Sequence, residues 1–139
     1  MISHASRQRH WTILSILAIT PIGFASKFYS GYGQDWVSNS LGGVFYVIFW
    51  CLVVVLFFDR LRPALIAAGV LTVTCTLEFL QLWHPAPLEY LLSTFIGQTV
   101  LGTTFVWSDF PYYFIGAGFG WIWLKALTRA SDHSRRDYR

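Results

Sequence analysis

Charge is what this sequence has least of. Only 12% of its 139 residues are Asp, Glu, Lys or Arg, against roughly 25% in an ordinary soluble domain. Cysteine is nearly absent too: Cys51 and Cys75 both sit inside apolar runs, so no disulfide framework and no thiolate metal site is expected. Small apolar filler is the role those thiols suit. There is no Gly-rich phosphate loop, Cys-x-x-Cys or zinc spacing. His10 and His84 fall at opposite faces of the helices described below, which excludes paired haem ligation. Internal repeats and low-complexity tracts are missing as well. No metal or cofactor is expected.

What is abundant is apolar surface. Hydrophobic residues make up 55% of the chain and aromatics 19%. A soluble fold of this length cannot hide that many large apolar side chains, so a bilayer is the natural solvent. Four apolar runs stand out, at about 11–28, 41–58, 64–83 and 110–127. Each approaches the ~20 residues a helix needs to cross the hydrocarbon core. The first contains Pro21, so a kink or a shortened helix is expected there. It faintly resembles a signal peptide, but no small-residue cleavage site follows, and it is read as a helix. The expected fold is an all-α membrane protein, a single domain over 1–139 with four transmembrane helices.

The basic residues orient these helices. Arg7 and Arg9 precede the first, Arg60 and Arg62 fill the turn between the second and third, and Lys125, Arg129, Arg135, Arg136 and Arg139 end or follow the fourth. Only Lys27 falls on the other side. The positive-inside rule then puts both termini in the cytoplasm. The formal charge of +3 is a topology signal, not a nucleic-acid patch, and 130–139 reads as a flexible, solvated tail. The stretch between the third and fourth runs is long for a connection, apolar but interrupted, and free of basic residues. A helical segment at about 88–105, re-entrant or lying in the interface, fits it. A fifth span would place the C-terminal arginines outside.

With that topology the polar groups collect on the outer face. The third run ends in "TLEFLQLW", where Thr74, Glu78 and Gln81 stand at i, i+4 and i+7 and share one stripe. Such a stripe points into the bundle or a wet recess, because an unpaired carboxylate in hydrocarbon costs about 2.5–3.5 kcal/mol or more. Lys27, Asp35 and Asp109 fall on the same side, which makes Glu78, Gln81, Lys27, Asp35 and Asp109 the candidate polar cluster, with Glu78–Lys27 the first pairing expected. Glu78 has three readings: a carboxylate reaching interfacial water, a structural pair, or a group that binds a headgroup or moves a proton. Asp109 in "SDFP" suits a helix cap. Asp35 in "GYGQDW" suits a turn, and Gln81 a helix–helix hydrogen bond. A Ser93–His84–Asp109 triad has no support in the spacing. Gly116, Ala117, Gly118 and Gly120 give the fourth helix a small-residue packing surface.

"TLEFLQLW", "STFIGQTVLGTTFVWSDFPYYFIGAGFGW" and the upstream "KFYSGYGQDWV" together resemble the bacterial family of small membrane proteins known as domain of unknown function 2809, over about 22–127. The Glu-x-x-Gln of Glu78 and Gln81 is its most specific piece, with the 102–113 block around Asp109. More distantly the pattern is similar to the VanZ-like family, linked to glycopeptide resistance and cell-envelope phenotypes. The resemblance implies a fold and a compartment, the inner membrane of a bacterium, and not a reaction. One departure matters: where relatives carry basic residues, this chain has Leu92 and Gln98, which leaves Lys27 as the only cation on that face. Three functions follow as alternatives. They are a recess for a lipid, isoprenoid or envelope headgroup, an accessory subunit of a larger membrane complex, and an enzyme acting on an outer-leaflet substrate, the last the least supported.

Overall fold

A computed structural model describes residues 4–102 and 105–133. Every regular element in it is helical. In chain order these are α1 (His4–Phe28), α2 (Gln34–Trp36), a π-helical turn (Val37–Leu41), α3 (Gly42–Phe57), α4 (Pro63–Trp83), α5 (Ala86–Leu92), α6 (Phe95–Leu101) and α7 (Asp109–His133). Three stretches among the described residues are long and apolar enough to cross a membrane: Ser6–Phe28, Gln34–Phe57 and Pro63–Trp83. The fourth run forms α7, 25 residues in length. α7 is not in that set: Lys125, Pro111 and its tyrosines, tryptophans and glycines make it less apolar than the other three.

Local chemistry sets several helix ends. Pro63 opens α4 after an extended Arg62, the position where a missing N–H costs nothing. His84 stops it in the left-handed region at φ 51°, and Pro85 prevents continuation. Thr94 caps α6 by accepting the Gly97 N–H at 3.0 Å.

α3 is the central helix. Val47, Ile48, Cys51, Leu52 and Val55 are buried along it, against Ile19 of α1, Ile66 and Val70 of α4, and Ala117 and Leu124 of α7. The α3–α7 crossing is close because α7 presents glycine. A Cβ at Gly116 would lie 2.8 Å from the Val44 carbonyl oxygen, and one at Gly120 would lie 2.9 Å from the Cys51 sulfur. Gly118 is different: nothing lies within 4 Å of its would-be Cβ, so it faces outward and leaves the small-residue surface to Gly116, Ala117 and Gly120. Leu17, Phe24, Val73, Leu82, Phe119 and Ile122 are exposed around the bundle, a surface suited to lipid.

The bounds differ from expectation in four places. α1 begins at His4 and passes Pro21 without a break; Pro21 lies on the exposed face. The second run extends back to Gln34 because the polar 37–40 segment coils into the π turn and packs on α1. α7 runs on to His133, so 130–133 is helical, and the rest of the expected tail lies outside the described residues. The 88–105 stretch resolves into α5 and α6, seven residues each, about 10 Å apiece and too short to span.

Candidate functional site

The stripe on α4 faces inward. Ile66, Val70, Thr74, Glu78 and Gln81 are all buried, with Glu78 4% and Gln81 2% exposed. A carboxylate so enclosed needs donors. Glu78 Oε1 accepts the Val106 backbone N–H at 3.1 Å, and Oε2 accepts the Tyr113 hydroxyl at 3.1 Å. Gln81 Nε2 donates to the Leu101 carbonyl, and its Oε1 has no partner. The two α4 side chains therefore fasten the end of α6 and the loop into α7 onto the bundle.

This fastening closes one side of a recess of about 130 Å³. Lys27 enters it from the last turn of α1, Asn39 from the π turn, Glu78 and Gln81 from α4, and Asp109 and Tyr113 from α7. A π turn displaces its side chains from the α-helical register, which fits Asn39 lining the recess. Asp109 is the first residue of α7, where the helix dipole favours an anion. Its Oδ1 is buried without a hydrogen-bond partner.

Of the five expected cluster residues, four come together. Asp35 does not: it sits exposed on α2, away from the lining. Lys27 does not pair with Glu78 either, because the oxygens of Glu78 are held by Tyr113 and Val106. The charge of Lys27 acts on Asp109 instead. His84 is exposed past the end of α4. Tyr113 and Asn39 were not singled out from sequence. Tyr113 had a signal: a phenol within an apolar helix, near the end that carries Asp109, seeks a partner when buried. The Val106 N–H had none, since a donor on irregular backbone leaves no trace in residue type.

Two apolar grooves border the recess. One, about 230 Å³, lies between α1 and α3 and is lined by Ile19, Phe24, Phe45 and Phe49. The other, about 500 Å³, lies between α3 and α4 along Val54, Leu65, Val73 and Leu77. Tyr46, Trp50 and Val100 border both, and Tyr46 and Val100 also border the recess. On the rim, Phe79, Phe105, Trp107 and Phe110 form a ring cluster with centroids 4.9–6.2 Å apart.

A family described as "Protein of unknown function (DUF2809)" matches residues 32–117. That span holds Asn39, Glu78, Gln81, Asp109 and Tyr113 but not Lys27. No solved structure matches the chain.

Proposed function

The chain belongs to the DUF2809 family of proteins of unknown function, and on that premise we propose a multi-pass membrane protein whose outer-face recess binds the headgroup of a lipid. In this reading α7 is the fourth span. Tyr113 meets Glu78 of α4 at one end of it, and Trp123 Nε1 donates to Ser15 Oγ of α1 at 3.1 Å nearer the other, so α7 runs alongside the apolar helices. The end of α3 lies beside the start of α1, with Arg9 and Asp59 bordering one hollow. Arg7, Arg9, Arg60 and Arg62 thus share the end opposite the recess, which the positive-inside rule makes cytoplasmic. α5 and α6 then lie in the outer interface, over the recess.

One observation carries the proposal: a pocket with two carboxylates and an ammonium shares its walls with two apolar grooves. Charged groups at that depth are costly and mark binding sites in membrane proteins, and an amphiphile is the ligand that fills both environments. Native mass spectrometry of the chain released from its own membrane tests this. Wild type is expected to retain one lipid, and Lys27→Met to lose it while keeping its fold. A bare wild-type chain sinks the proposal. A second reading, an accessory subunit, is favoured by the exposed Phe79–Trp107 rim, and a retained protein instead of a lipid would select it.

A further inference from the structure

The polar atoms of the recess are specific about what they lack. Both buried side-chain atoms without a hydrogen-bond partner among the described residues are acceptors, Asp109 Oδ1 and Gln81 Oε1, and both residues line the recess. Buried acceptors without donors are rare and costly. The Gln81 amide cannot be turned round to remove the problem, because Nε2 donates to the Leu101 carbonyl and a flip would set two carbonyl oxygens against each other. A ligand with N–H donors is what these walls call for.

The charges narrow the choice. Two carboxyl groups, Glu78 and Asp109, stand against the one ammonium of Lys27, which favours a headgroup that carries a cation over a purely anionic one. Lys27 and Asp109 both border the space and Lys27 acts on Asp109, yet the two form no salt bridge among the described residues. A group carrying both signs fits between them in the opposite order, anion to Lys27 and cation to Asp109. The apolar side is equally definite. Tyr46 and Trp50, edge to face at 6.2 Å, stand as a partition between two grooves that meet at one recess. That matches one headgroup with two chains better than a single-chain isoprenoid.

We propose that the recess takes a diacyl phospholipid with a primary-ammonium headgroup, its phosphate at Lys27 and its N–H donors at Asp109 and Gln81. This rests on the headgroup reading above and names the lipid class. Choline carries the same charge but no N–H, so it separates hydrogen bonding from charge.

The test is a lipid titration of the full chain in detergent, read by native mass spectrometry, with acyl chains held constant. The probes are phosphatidylethanolamine, its N-methyl and N,N-dimethyl forms, phosphatidylcholine and phosphatidylglycerol. Affinity is expected to fall at each methylation, by about tenfold from ethanolamine to choline, the size of one or two good hydrogen bonds. Asp109→Asn is expected to compress that ratio, and Lys27→Met to weaken ethanolamine and choline lipids together without changing it. The wild-type series decides the matter even where a variant fails to fold. Equal affinity across the series, or a preference for phosphatidylglycerol, overturns the ammonium assignment while leaving a lipid-binding recess. Binding of none of the five overturns the headgroup reading beneath it.

Discussion

Glu78 acts as a strut, and its partners can be told apart by mutation. Tyr113→Phe leaves Oε2 of a buried carboxylate without its donor, and is expected to lower stability by about 1–2 kcal/mol, measured as the thermal midpoint in detergent. Lys27→Met is expected to lower that midpoint by less than Tyr113→Phe does, because Lys27 holds neither oxygen of Glu78 and is itself exposed. A large loss from Lys27→Met with a neutral Tyr113→Phe would restore the ion pair the sequence suggested. Glu78 and Gln81 were legible because polar groups at helical spacing in an apolar run must face inward. Their partners were not. The spacing of α4 says which way Glu78 points but not which element meets it, and Lys27 stood out only as the one cation on that side.

Helix packing depends on which glycines meet a neighbour. Gly116→Ala drives a Cβ to 2.8 Å from the Val44 carbonyl oxygen, and rigid backbone cannot give way as a side-chain tip can; the expected loss is about 1–3 kcal/mol. Gly118→Ala, on open surface, is expected to be neutral or to gain up to about 1 kcal/mol from helix propensity. Thermal midpoints of the two variants, side by side, check the crossing. Gly97→Ala tests the α5–α6 corner, where a Cβ would run into the Leu91 carbonyl oxygen; it is expected to disrupt the corner and loosen the loop that Glu78 and Gln81 anchor. The long apolar runs were readable as helices from length and hydropathy. The ends were less so: Ser38, Asn39 and Ser40 read as a loop by composition, and packing against α1 coils them into the π turn.

For the whole molecule, sidedness decides what the recess can meet. An impermeant maleimide is expected to label Asp35→Cys in intact cells and Arg60→Cys only after permeabilisation, with wild type as the control for Cys51, which is buried, and Cys75, which is half-buried. The reverse pattern would turn the recess toward the cytoplasm. The charge bias was legible at this scale because nine of ten basic residues fall on one side of the four runs. The grooves were not, since they are spaces between helices rather than residues on one. The direct measurement of occupancy is photo-crosslinking in the native membrane, with benzoylphenylalanine replacing Tyr46, where both grooves meet the recess, or Phe119 on the exposed face of α7. Position 46 is expected to capture one dominant phospholipid class, and position 119 a mixture that mirrors the bulk membrane. The same mixture at both positions, or a protein adduct at 46, would contradict a recess built for a lipid headgroup.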